Sequence, residues 1–260
     1  MPHSIITKKN PEKSLIVSLQ KHSGRNNQGR ITVRHQGGGS RKMYRLVDFG
    51  QEHANVRGTV ETIEYDPNRN AFIALVYYQD GSKGYVLAWQ GISKGQNILC
   101  APQTDVAAGN RTRLEHIQVG TMVFNIELEE GRGGKIVRSA GAGAQVVAQE
   151  GGNTHVQLPS TEIRKIRSAC YATVGLVSNP EHKYQRVKNA GRSRLKGRRP
   201  TVRGTVMNPV DHPHGGGEGR QPVGLKHPKT PWGKPALGVK TRKRKKWTNK
   251  LIVQRRKKKK

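Results

Sequence analysis

Charge is segregated along this chain, and the segregation limits which residues can share a core. Between Asp48 and Glu162 stand 9 Lys or Arg and 13 Asp or Glu, a net of −4. The flanking residues carry 39 basic and 4 acidic side chains, a net of +35. A solvated face mixes both signs, so flanks of one sign repel themselves and compact only against a polyanion. The middle is therefore the portion with an ordinary globular surface. The whole chain of 260 residues has a formal net charge of +31, and nucleic acid is the commonest polyanionic partner for such a balance. An anionic membrane is the other candidate and fits poorly: no apolar run approaches the roughly 20 residues of a spanning helix, and no long basic amphipathic helix appears.

The middle also carries the hydrophobic periodicity. Val56 to Tyr65 is β-rich, Asp66-Pro67-Asn68 is a turn, and Ala71 to Tyr78 is a buried strand. Asp80-Gly81 turns the chain into Tyr85 to Trp89, completing a meander. Further strands are expected at Asn97 to Cys100 and Thr121 to Leu128. After Gly131-Arg132-Gly133-Gly134, others follow at Lys135 to Ser139, Gln145 to Gln149, His155 to Leu158, Glu162 to Ile166 and Ala172 to Val177. Short strands with frequent turns indicate small closed barrels rather than βαβ units. The expected architecture is mainly β: a barrel sized for the OB fold over 48–130, then one sized for an SH3-like barrel over 131–180. Long irregular basic extensions flank them at 1–47 and 181–260.

Cys100 and Cys170 lack partners at metal-ligand spacing, which points to a reducing compartment and to isolated small residues inside strands. Residues Met1 to Lys21 show no secretory core; Lys8, Lys9 and Lys13 beside Glu12 give only a weak transit-peptide signal.

The basic ends hold the candidate binding residues. The N-terminal arm spaces Arg25, Arg30, Arg34, Arg41 and Lys42 through Gly, Asn and Gln, with His35 beside Gly37-Gly38-Gly39. The glycine run lacks the Gly-Lys-Ser/Thr ending of a nucleotide loop, so threading along an RNA backbone is the expectation. Gly191 to Arg203 carries Arg192, Arg194, Lys196, Arg198, Arg199 and Arg203, and Lys240 to Lys260 has 13 basic residues and no acid, including Arg242, Lys243, Arg244, Lys245 and Lys246. Trp232, within Pro231-Trp232-Gly233-Lys234-Pro235, is placed to stack on a base or to pack a local turn.

Asn208 to Arg220 reads Asn-Pro-Val-Asp-His-Pro-His-Gly-Gly-Gly-Glu-Gly-Arg. Proline and glycine exclude a helix or a central strand here. Taken alone, Asp211, His212, His214 and Glu218 suggest a metal-dependent hydrolase. No third His or Cys lies near, no helical histidine pair exists, and no serine has an elbow-like context. Histidines hydrogen-bonding phosphate, ribose or base edges fit the cationic surroundings better, with Arg220 closing the segment. A nonspecific DNA-compacting protein is the other rival; it explains neither the barrels nor this loop.

Several of these motifs together carry a resemblance. Asn208 to Arg220, Thr230-Pro231-Trp232-Gly233, Thr241 to Lys246, Gly29-Arg30-Ile31-Thr32, Gly37-Gly38-Gly39, Ile63 to Arg69 and Val202-Arg203-Gly204 resemble the large-ribosomal-subunit protein two family in its bacterial or organellar form. The similarity runs in order over about residues 21 to 260. It implies an OB-like barrel followed by an SH3-like barrel, both ends threaded into large-subunit rRNA, and no enzymatic turnover or cofactor. It further implies neighbouring large-subunit proteins and the small subunit, through an intersubunit bridge, as partners, with no small-molecule substrate. A ribosomal location follows, in a bacterial cytoplasm or an organelle. The family histidine matching His212 is tied to peptidyl-transferase activity; the role implied here is to organise RNA near that centre, with effects on tRNA placement. A basic match is kept at Arg164. Relatives usually carry Lys or Arg before the Tyr matched by Tyr85, where this chain has Gly84, and the N-terminus looks shorter than usual.

Overall fold

A computed structural model describes residues 5–8 and 10–256. Part of the Met1 to Lys21 segment, Lys9 included, and the last four residues of the cationic C-terminal run lie outside them. The chain divides into two compact units. The first comprises Met1–Leu19, Lys42–Arg186 and Thr248–Lys260; the second, Gln20–Arg41 and Val187–Trp247.

The first unit is built of β-strands. Strands β1 (Ile16–Ser18) and β2 (Met43–Arg45) pair as an antiparallel ribbon. Strands β3 (Gly58–Glu64), β4 (Ile73–Tyr78), β5 (Lys83–Leu87) and β6 (Asn97–Ile98) form a four-stranded sheet in the order β5-β4-β3-β6. The central strand β4 reads as one continuous apolar run because both of its faces are covered. Ala74, Val76 and Tyr78 join Val60, Ile63, Phe72 and Trp89 in the main core, while Ile73 and Leu75 pack on the opposite side with Tyr85, Leu15 and Val47. The two meander turns are local: Asp66 Oδ1 accepts from the Asn68 N–H at 2.8 Å, and Asp80 Oδ1 accepts from the Ser82 N–H at 2.9 Å. Short acidic side chains that satisfy backbone donors explain both turns.

A second sheet has seven strands. These are β7 (Arg111–Arg113), β8 (Met122–Phe124), β9 (Ala144–Glu150), β10 (Asn153–Gln157), β11 (Ile163–Arg167), β12 (Tyr171–Val174) and β13 (Ile252–Gln254), in the order β13-β11-β10-β9-β8-β12-β7. Its core gathers Leu114, Ile117, Val123, Ile126, Val146, Val156, Ile166 and Ala172. Pairing of β8 with both β9 and β12 draws residues on either side of the Gly131–Gly134 break into one sheet.

The structure differs locally from the sequence expectation: the extension over 1–47 is not irregular throughout, since it holds the β1–β2 ribbon, and three further differences have physical causes. Residues Lys135 to Ser139 form only an isolated bridge, Ile136 to Ile126; Val137 sits at φ +55°, in the left-handed region that a strand excludes. β7 is only three residues long and carries two arginines, so alternation does not reveal it. Nor is the extension over 181–260 irregular throughout, since β13 adds to the edge of β11 near the C-terminus. Three residues inside a lysine and arginine run have no periodicity to detect; their strand exists because a neighbouring edge supplies the hydrogen bonds.

Both cysteines are free and buried. Cys100 forms a bridge to Arg111, and Cys170 lies in the turn between β11 and β12 rather than inside a strand. Burial pushes each thiol up to about 11. Because the thiolate is the nucleophile, a disulfide reagent at pH 7.5 is expected to label neither cysteine in the folded protein and both in guanidinium. Rapid labelling of either under native conditions would contradict this burial.

Candidate nucleic-acid interface

The second unit holds 22 of the 48 basic residues and 2 of the 17 acidic ones, a net of +20 against +11 for the remainder. Its one α-helix, α1 (Ala190–Leu195), is short. Asn189 caps it by accepting the Arg192 N–H at 3.2 Å. The glycine run of the N-terminal arm crosses the other end. Ser40 N–H donates to Leu195 O and Gly37 N–H to Gly197 O, both at 3.0 Å. Gly39 lies at φ +81°, where a Cβ would stand 2.8 Å from Gly197 N, so only glycine permits this approach. These glycines therefore serve the chain's own packing at the α1 C-terminus.

The same two segments are tied again one turn further. The His35 ring nitrogen Nδ1 donates to Pro200 O at 2.9 Å, and Arg199 N–H donates to His35 O at 3.0 Å. Arg34, Arg41, Arg192, Arg198 and Arg199 are exposed along these paired segments, with Arg194 half-buried. Arg194 Nη1 is enclosed with no hydrogen-bond partner among the described residues. Arg25 and Arg30 flank a tight turn in which Asn26 Oδ1 accepts from Gln28 and Arg30 N–H groups. Hydrogen bonds within the unit thus spread like charges along a defined path.

The Asn208 loop is organised by its histidines. His212 is only 7% exposed, and its Nδ1 accepts the His214 backbone N–H at 3.0 Å. His214 Nε2 accepts the Lys229 N–H at 2.8 Å. Each neutral ring therefore keeps its proton on the other nitrogen, His212 on Nε2 and His214 on Nδ1. Gly204 lies against the His212 ring so closely that a Cβ would meet it at 2.5 Å. Burial, with His214 and Arg34 adding positive charge nearby, pushes the His212 pKa below the usual histidine range. A depressed pKa favours the neutral ring in the folded loop. The loop is thus fully held above about pH 6.5 and loosens as pH falls below that toward the lower folded value. The expected result is faster exchange of the His214 amide, relative to its intrinsic rate, across that window. A His212 ring titrating at or above the denatured-chain value would contradict it.

Trp232 caps a small hairpin in which Thr230 N–H donates to Lys234 O at 2.7 Å and Gly233 N–H to Thr230 O at 2.9 Å. Its ring is 75% exposed, so it does not pack its own turn. Lys196, Arg203 and Arg220 are exposed, as are Arg242, Lys243, Arg244, Lys245 and Lys246. Of the residues expected from the sequence to contact RNA, only Lys42 and Arg164 belong to the first unit. Among the described residues no group of three or more His, Cys, Asp or Glu could hold a metal ion, and the inward hydrogen bonds of both histidines leave the Asp211–Glu218 segment without a ligand set. Nor is any helix among them long and apolar enough to cross a membrane.

The first unit adds a site that the sequence reading missed. Two guanidinium groups stand against the Phe49 ring, Arg138 at 4.3 Å and Arg69 at 5.3 Å from its centroid. A cavity of about 460 Å³ is lined there by these residues with Tyr44, Asn68 and Lys135. Arg69 is aimed by the buried Asp66 carboxylate, 2.7 Å from its Nε. Three cations beside two aromatic rings suit a phosphate and a base together. In the sequence Arg69 only follows the Asp66-Pro67-Asn68 turn, and Arg138 falls within Lys135 to Ser139, where a strand is expected.

Two family models match the chain: the Ribosomal Proteins L2 RNA-binding N-terminal domain over residues 12–100, and the Ribosomal Proteins L2 C-terminal domain over residues 107–233. The geometry and these matches agree. The chain belongs to the ribosomal protein L2 family, structural and non-enzymatic proteins that bind rRNA beside other proteins in the large ribosomal subunit.

Proposed function

We propose that this protein is a primary rRNA-binding component whose barrels dock on folded RNA while its second unit threads between RNA helices. The carrying observation is the pairing of Gln36 with Arg198 and of the Gly37–Ser40 backbone with α1, which holds a +20 unit in an irregular path. The family resemblance extends this reading to the peptidyl-transferase centre, tRNA placement, and subunit association through a bridge to the small subunit. The sheet of β3 to β6 is assigned to an OB-like barrel and the larger sheet to an SH3-like barrel. The basic extensions are 1–47 and 181–260, around barrel regions 48–130 and 131–180; the β7 and β8 pairings favour a boundary nearer the gap between the family models. A ribosome in a bacterial cytoplasm or an organelle is the setting.

The contacts proposed are Arg25, Arg30, Arg34, Arg41 and Lys42 of the arm and the cations of 192–203, 220 and 242–246. Trp232 supplies a stacking surface, Arg164 a barrel contact, and His35 and His214 polar contacts. His212 acts by holding its loop near the peptidyl-transferase centre. Arg69 and Arg138 join the list on their placement around Phe49.

Filter binding at one salt concentration tests this. The protein is expected to prefer large-subunit rRNA to duplex DNA of equal length by at least tenfold. The Arg69→Ala, Arg138→Ala pair should lose about tenfold or more on the rRNA, since a hydrogen bond to a charged group contributes about 1.5–3 kcal/mol. Equal affinity for both polymers would reject the reading in favour of nonspecific compaction.

A further inference from the structure

Where the Asn208 loop meets solvent, its tip departs from the chemistry around it. Val210 is 97% exposed, and Asp211 beside it is exposed with neither a hydrogen bond nor an ion pair on its carboxylate among the described residues. Asp211 and Glu218 are the only acids in the second unit. An apolar side chain and an unpaired carboxylate are both ill suited to a phosphate: the first offers no donor, and the second is repelled.

The tip is nonetheless held firmly. Asn208 O accepts from the Asp211 N–H at 3.0 Å and the His212 N–H at 3.2 Å, and Gly216 N–H donates to Met207 O at 3.1 Å. Pro209 fixes its own φ. Gly215 passes so close behind that a Cβ would sit 2.3 Å from Asn208 O. Preorganisation of this kind lowers the cost of a specific contact. Glu218, between Gly217 and Gly219, has no comparable support.

We propose that the Pro209–Asp211 tip reads the Watson–Crick edge of an unpaired guanine in the rRNA, an inference that rests on the RNA-threading role given above. An extruded base is recognised by hydrogen bonds to its Watson–Crick edge and by packing on its face. Guanine places two donors side by side there, N1–H and N2–H, and two carboxylate oxygens accept both. Adenine and cytosine offer a single amino group and uracil a single imino group, so none satisfies both oxygens. Val210 and Pro209 supply the apolar surface for the base or its sugar.

Chemical probing of large-subunit rRNA bound by the full-length protein tests this. Kethoxal modifies guanine at N1 and N2, and dimethyl sulfate reports adenine N1 and cytosine N3. The wild-type protein is expected to protect one guanine that becomes at least fivefold more reactive with either Asp211→Ala or the isosteric Asp211→Asn. The rest of the footprint should persist, because the exposed carboxylate supports no packing. Unchanged guanines, or changes confined to adenines and cytosines, overturn the proposal; unchanged guanines with tighter overall binding by Asp211→Asn would place the carboxylate against phosphates or another protein. A wild-type protein that leaves no footprint would remove the threading role and this inference together, an outcome distinct from a footprint that ignores Asp211.

Discussion

Converting Arg192, Arg194, Arg198, Arg199 and Arg203 to Gln is expected to flatten the salt dependence of rRNA binding. Each phosphate neutralised by a cation releases counterions and adds about −0.7 to −0.9 to the slope of log affinity against log salt. Five lost contacts should make that slope shallower by about 3.5 to 4.5, with affinity at 0.1 M salt falling by at least a hundredfold. The five residues lie on exposed or half-buried positions around α1, where the backbone is fixed by hydrogen bonds that glutamine leaves intact. The control is charge removal in the first unit, at Lys83 on β5 and at Lys94 in the turn before β6, where Lys94 already pairs with Glu61 at 2.8 Å. That variant should keep the wild-type slope within about one unit. A five-residue variant with an unchanged slope would show that the second unit is not the main phosphate contact.

The second large effect concerns stability alone. Arg111 is wholly buried, and its Nη2 pairs with Glu127 Oε1 at 2.8 Å. Its Nη1 also donates to Asn125 O at 2.7 Å, while Glu127 Oε2 accepts the Tyr171 N–H at 3.1 Å. Glu127→Ala leaves a guanidinium buried without its counter-charge and a β12 amide without its acceptor. Breaking a buried pair in this way costs about 3–5 kcal/mol, read as a lower urea midpoint with an unchanged slope. Replacing both partners by Met and Leu removes the charge along with its partner, and should cost less than the Glu127→Ala change alone. A midpoint shift below about 1 kcal/mol for Glu127→Ala would mean water reaches the pair.

How far the sequence leads depends on the range of the interaction. The strands β3, β4 and β5 were legible because their apolar runs and Asp-Pro-Asn and Asp-Gly turns are local signals, each complete within about ten residues. The missed strands β7 and β13 draw their existence from partners far along the chain, β12 and β11, and β1 and β2, inside the stretch expected to be irregular, draw theirs from each other across more than twenty residues. The histidines show the same division. Asp-His-Pro-His identifies an irregular loop, yet only the folded chain reveals that His212 faces inward and that His214 accepts from Lys229, 15 residues away. Likewise Gly37-Gly38-Gly39 resembles a ligand loop until α1 is found beneath it.

Charge balance by itself determined that this chain has a globular middle and ends that need a polyanion, because net charge and its spacing are one-dimensional properties. The ordered set of motifs determined the family for the same reason. Tertiary structure decided which cations face outward, which glycines are packing contacts, and which aromatic ring Arg69 and Arg138 stand against. Those outcomes depend on directions and on distances of a few ångströms between segments separated by up to 165 residues, as His35 and Pro200 are, and no local pattern in a sequence carries them.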